Sequence, residues 1–202
     1  MVIYVDMTLT EAKALLATFV SNTPQRLDQL RQRSAASGGP SPEDLDLGPA
    51  SLDRLWAWAT PQFAWRDGYD PPPDHEPGPR HPARPLEPDD QLPEWFDPRA
   101  LDWWRFSADT LWLIDGLARY LAESVIAHVP TAHWTVGRAR TRSYAFQNHI
   151  VMDGIPFGDQ VEPMWSVTIL VSRALQPDSI YQRGARSLRE VDDIWTSPPP
   201  RP

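Results

Sequence analysis

Three arginines stand at alternate positions, Arg138, Arg140 and Arg142, in a chain that is otherwise acidic, with a net charge of −8. In an extended strand, residues two apart share a face. All three guanidinium groups would then line up as a cation row able to hold a carboxylate, a phosphate or an acidic partner surface. The bland alternative is a solvated turn, where charged residues are ordinary. Beside the row stand Tyr144, Gln147, Asn148 and His149. His149 has the chemistry of a general base, and Tyr144 or an arginine that of an electrophile. His128, His133 and His149 bracket the region. Two histidines with Asp153 could in principle ligate a metal, but no HExxH or comparable spacing supports one, so no metal site is assigned. No GxGxxG, GxxxxGK[ST] or GxSxG occurs, so phosphate loops and nucleophile elbows find no support, and no cofactor is implied. With no cysteine, thiol nucleophiles and cysteine-ligated metals are excluded.

A second group is aromatic. Trp95, Trp103 and Trp104 sit at the end of a stretch that holds ten prolines between Pro71 and Pro98. Tryptophan and arginine are enriched at interface hot spots, so this cluster is a candidate partner face, although docking onto the chain's own core competes with that reading. Trp56, Trp112, Trp134 and Trp165 fall inside patterned segments and are expected in the core.

The elements that must position these residues are legible in outline. Thr8 and Glu11 form a capping box ahead of a helical stripe through Leu15, Phe19 and Val20, which predicts a helix over 8–35 broken near 22–24 by Pro24. Gly48-Pro49 opens a helix carrying Leu52, Leu55 and Trp56, with Trp58 off its stripe. Ser107 caps a segment to His128 whose stripe runs Leu111, Ile114, Leu117, Ala118, Leu121 and Val125, and Pro130 stops it. The period then changes to two, through Trp134 and Val136 and again from Tyr144 to Met152, which predicts a β-hairpin with its turn near 140–142. Pro163 opens a helix to Leu175, favoured over a strand by the spacing of Val167, Val171 and Ala174. A short helix is expected over 187–195.

The fold class that follows is α+β: a single domain over 1–202, with a small antiparallel sheet near 132–152 packed against several helices, the 107–128 helix foremost. Residues 66–100 form an acidic, proline-rich insertion loop over the surface, and 196–202 a frayed tail. Residues 66–106 hold ten acids against five arginines. Acidity on this scale disfavours nucleic acid, whose phosphates need clustered cations. The N-terminus has no signal-peptide pattern and no stretch is long and apolar enough for a membrane span, so a soluble cytoplasmic protein is expected.

The segments LTEAKALLATFV, LDLGPASLDRLWAWA, LWLIDGLARYLAES and HWTVGR resemble a class of small, uncharacterised proteins of G+C-rich bacteria. Some α+β proteins of this size act as immunity or accessory factors beside toxins. The resemblance implies that kind of role and transfers no functional residue. The leading expectation is a non-enzymatic interaction module that binds and neutralises a protein partner. The alternative is an enzyme or small-ligand binder with an anion-accepting pocket beside the 134–152 hairpin. A homodimer through the tryptophan cluster is a third reading.

Overall fold

The computed structural model describes residues 4–69, 92–96, 105–139, 144–176 and 184–198. Trp103, Trp104, Arg140, Arg142, the Pro71–Pro73 run and residues 199–202 lie outside them. Helix α1 spans Leu9–Ala36, α2 Pro49–Ala59 and α3 Ala108–His128. Strands β1, His133–Val136, and β2, Ile150–Asp153, follow, then α4, Pro163–Leu175, and α5, Leu188–Thr196. Among the described residues, helices with one two-stranded antiparallel sheet make the α+β fold expected.

Helix α3 is the centre. Ser107 Oγ accepts from the Thr110 amide, and burial runs almost unbroken from Thr110 to Val125. With α1, α2, α4 and α5 all against it, α3 has no solvent stripe for most of its length, and its apolar residues surround it accordingly. Gly116 lets α1 approach: a Cβ there would press on Leu30 Cδ1 at 2.9 Å. No helix among the described residues is long and apolar enough to cross a membrane.

Helix α1 corrects the expected break, for it runs through Pro24 without interruption. The missing proline donor concerns the Val20 carbonyl, on a turn where Val20 and Pro24 are exposed and water can take its place. The capping box forms as predicted, the Glu11 amide donating to Thr8 Oγ1 and the Thr8 amide to Glu11 Oε2.

The sheet lies mainly against α1, where Trp134 meets the Phe19 ring edge-on at 5.1 Å, and reaches α3 through the Trp134 indole N–H to Glu123 at 2.9 Å. The register pairs His133 with Asp153 and Val136 with Ile150. The strand expected from Tyr144 onward is shorter. Residues 144–149 fold as turns, with Asn148 at φ 67°, and only Ile150–Asp153 extend. Gly137 enforces this, since its amide donates to the His149 carbonyl and a Cβ would collide with the Phe146 carbonyl oxygen. An isolated bridge pairs Met152 with Val161, so 160–162 runs extended beside β2.

The tryptophans expected in the core, Trp56, Trp112, Trp134 and Trp165, are only half-buried. Trp95 is fully enclosed, and Trp58 is buried with its indole N–H on Ser37.

Trp65 pairs with Phe106 in an antiparallel bridge, and the Thr110 hydroxyl grips both the amide and the carbonyl of Ala64, so the excursion between them leaves and returns at one point. Within it, residues 92–96 dock on the core. Arg119, with no exposed surface, donates through Nε to Asp115 (2.9 Å), through one terminal nitrogen to Thr23 Oγ1 and the Phe19 carbonyl (both 2.7 Å), and through the other to Glu94 (2.7 Å). Its guanidinium also lies 3.5 Å from the Phe19 ring centre. Asp115 Oδ1 accepts the Trp95 indole N–H at 2.8 Å, and Arg26 approaches Glu94 at 3.4 Å.

Burial pushes the Asp115 carboxyl up against the pull of Arg119. Burial also pushes on Glu94, but the charges of Arg119 and Arg26 and a hydrogen bond from its own backbone amide outweigh it and hold that carboxyl below the usual range. The two have opposite signs in acid. Glu94 adds stability above the ordinary glutamate value, about 4.3, and loses it as pH falls through its lower folded-state value. Asp115, raised, loses stability as pH climbs from the ordinary aspartate value through its folded one. Glu94→Gln should therefore flatten the acid limb of the wild-type stability curve below about pH 4.3. Urea unfolding at a series of pH values checks this, and an unchanged slope in acid would refute it.

Candidate functional site

The alternation of an extended strand builds the candidate site beside the hairpin. The Met152–Val161 bridge holds 160–162 straight, so Gln160 and Glu162, two apart, fall on one side of it. Gln160 donates through Nε2 to Asp153 Oδ2 at 2.8 Å. Its Oε1 accepts the Tyr144 hydroxyl (2.9 Å) and the Arg138 amide (3.1 Å). Glu162, 2% exposed, lies 3.0 Å from His149 Nδ1. A carboxylate oxygen accepts, so Nδ1 carries the hydrogen and a neutral ring presents its lone pair at Nε2. Among the described residues nothing hydrogen-bonds Nε2, and the side chain keeps 20% of its surface open.

Tyr4 and Phe146 flank the imidazole. Tyr4 stacks on it at 4.0 Å with 22° between planes, and Phe146 meets it at 6.0 Å and Tyr144 in turn at 5.9 Å. Tyr4 is anchored from behind by its hydroxyl on the Trp95 carbonyl (3.0 Å) and through its own carbonyl by Asn148 Nδ2 (3.2 Å), which also reaches the Met7 carbonyl (2.8 Å). The 92–96 segment is thus in register with the site.

Burial first, then the charges of Asp153, Asp159 and Glu162, push the Tyr144 hydroxyl up. Asp153 is held below its usual range by hydrogen bonds from Gln160 and the Gly154 amide, so it is ionised at neutral pH.

The residues singled out from the sequence divide as follows. Tyr144, His149 and the backbone of Arg138 come together here, whereas the Arg138 side chain is exposed beyond the end of β1. Arg140, Arg142, Trp103 and Trp104 lie outside the described residues. Trp95 is a correction. With no exposed surface and its indole committed to Asp115, it is a core anchor and offers nothing to a partner. His133 and His149 do not face each other across the hairpin. His133 pairs with Asp153 at one end, and His149 pairs with Gly137 at the other. His133 and His128 bond through Nδ1 to the carbonyls of Thr131 and Ser124. Among the described residues no three histidine, aspartate or glutamate side chains gather in a metal-binding group.

Glu162, Gln160 and Tyr4 escaped the sequence reading. Glu162 could have been flagged as an acid just ahead of Pro163 at a helix start, but only the bridge to β2 reveals its meeting with His149.

A groove of about 240 Å³ lies elsewhere, between α1 and α3, with Arg26, Gln29, Arg33, Trp112 and Asp115 among its walls. Arg26 lies 4.4 Å over the Trp112 ring and Arg33 is 3.9 Å from Asp109, so both cations already have opposing groups.

Searches of protein-family models, curated proteins and solved structures give no match to this chain.

Proposed function

We propose that the chain is a non-enzymatic interaction protein of the immunity or accessory kind, and that it holds a basic protein partner on the face where the 153–160 segment meets α5. The observation that carries this reading is the place of the exposed apolar side chains. The described residues expose three large ones, Val20, Phe157 and Ile194. Phe157 and Ile194 belong to one junction, because the Phe157 amide donates to the carbonyl of Trp195, next to Ile194. Asp159, Glu190 and Asp193 stand exposed around them, with Asp193 partly answered by Arg189 at 3.0 Å. An apolar centre supplies affinity once dry, and an acidic rim steers a cationic partner and rejects anionic ones. The chain's net charge of −8 acts in the same direction.

The anion-accepting pocket expected beside the hairpin has less support, because the Arg138 side chain is exposed beyond the end of β1 and Arg140 and Arg142 lie outside the described residues.

The test is partner capture from the native host with the wild type and with Phe157→Ala/Ile194→Ala side by side. A basic protein should be held by the wild type, more weakly as salt rises, and at least roughly tenfold more weakly by the double variant. A partner retained equally by the variant, or no partner at all, would overturn the reading.

A further inference from the structure

We propose that His149, backed by Glu162, is the recognition group of a site for an organic cation, a guanidinium or alkylammonium group. The inference rests on the reading of a basic partner, and it names the chemical group this part of the surface takes.

Four observations converge. Nδ1 is held by a buried carboxylate, so in the neutral ring the hydrogen sits on Nδ1 and Nε2 is the acceptor, on a side chain with 20% of its surface open. Carboxylates belong to the same side-chain network: Glu162 bonds Nδ1 itself, and Asp153 is tied to Gln160, whose other end takes the Tyr144 hydroxyl. An acceptor backed by carboxylates favours an N–H donor that carries positive charge. The rim is aromatic, with half-buried Phe146 6.0 Å from the imidazole and half-buried Tyr144 5.9 Å from Phe146, and the ring faces of such residues attract ammonium and guanidinium groups. Finally, Asn148, next in sequence and 7% exposed, has a buried Oδ1 that receives no hydrogen bond from the described residues. An unanswered buried acceptor calls for an explanation beyond packing.

A purely structural role predicts something different. His149 would then serve only as a plate against Tyr4, and any flat ring would do.

The experiment follows the His149 ring resonances of the full chain by NMR during titration with N-acetylarginine amide, butylammonium, acetate and inorganic phosphate. A capped arginine-rich decapeptide forms a second arm. Either cation should shift His149 and the Tyr144 ring saturably, and neither anion should. Glu162→Gln should weaken the cation roughly tenfold or more. His149→Phe should keep the stacking on Tyr4 and the melting temperature but abolish the Tyr144 response. Melting curves of both variants establish that they are folded. Free amide binding as tightly as the peptide identifies a small-molecule ligand, and tighter peptide binding identifies a protein side chain. Absence of a saturable cation response, a stronger response to phosphate or acetate, or undiminished binding by His149→Phe would overturn the proposal. Partner capture lost with Phe157→Ala/Ile194→Ala but unaffected by His149→Phe would remove this inference and leave the basic-partner reading intact.

Discussion

Replacing Arg119 with methionine should cost about 3–5 kcal/mol of folding stability, seen as a lower urea midpoint with the slope unchanged. Methionine fills similar volume, so the loss is chiefly electrostatic. The guanidinium serves Asp115, Glu94, Thr23 and the Phe19 carbonyl from three nitrogens, with no exposed surface of its own. Without it, Asp115 keeps one donor, the Trp95 indole, for a carboxylate that is 1% exposed. Asp115 must then be buried as an uncompensated charge or take up a proton, and both are costly. Lysine should not rescue the variant, because one ammonium cannot span four acceptors arranged for a planar fork. The double variant Arg119→Met/Asp115→Asn should lose less than the sum of the two singles, since the second change removes the charge the first stranded. A loss under about 1 kcal/mol for Arg119→Met would show that the cluster is wetter than its burial implies.

Such a cluster adds little net stability as a whole, because desolvation offsets attraction. Its consequence is specificity of docking. Thr23 and Phe19 belong to α1, Asp115 and Arg119 to α3, and Glu94 and Trp95 to the returning excursion, so one guanidinium fixes three pieces of chain relative to one another.

This hub was present in the sequence but unread. Asp115 and Arg119 stand four apart inside the otherwise apolar stripe of α3, the spacing at which opposite charges meet on a helix. Charges inside a stripe buried all round must be paired, so the pair is a legible mark of an internal ion cluster, whereas its third partner, Glu94, lies in a segment without periodicity. The helices were legible because caps and 3.6-residue spacing are local: Thr8, Ser107 and Pro163 mark the starts of α1, α3 and α4 where expected. Pro24 misled because a proline ends a helix only when its environment cannot serve the freed carbonyl, and exposure of that turn is a tertiary fact. The Tyr144–Asn148 stretch misled because alternation does not reveal a left-handed residue, and Asn148 tolerates that conformation better than most. The His149–Glu162 pair was illegible for a different reason. Thirteen residues separate them, and they meet only through the pairing of Met152 with Val161.

Trp95→Ala should be the other costly change, at about 3–5 kcal/mol, and it decides between two roles for the same side chain. As a partner-facing indole, Trp95 would be expendable for folding and its loss would appear only in binding. As an enclosed one, its removal leaves a cavity beneath the 92–96 segment and takes a donor from Asp115. Trp95→Phe separates the two contributions. It keeps most of the apolar volume, loses the indole N–H, and should cost about 1–3 kcal/mol. Combined with Asp115→Asn, the phenylalanine variant should show a coupling that the same asparagine does not show with a distant substitution such as Phe157→Ala. The loss should also reach the candidate site, because the Trp95 carbonyl holds the Tyr4 hydroxyl and Tyr4 is the plate on which His149 stacks. In Trp95→Ala the His149 ring resonances should therefore move even without ligand, as the backbone at 95 loses its anchor. A variant as stable as the wild type, with those resonances unmoved, would return Trp95 to the surface and dissolve the connection between the excursion and the histidine.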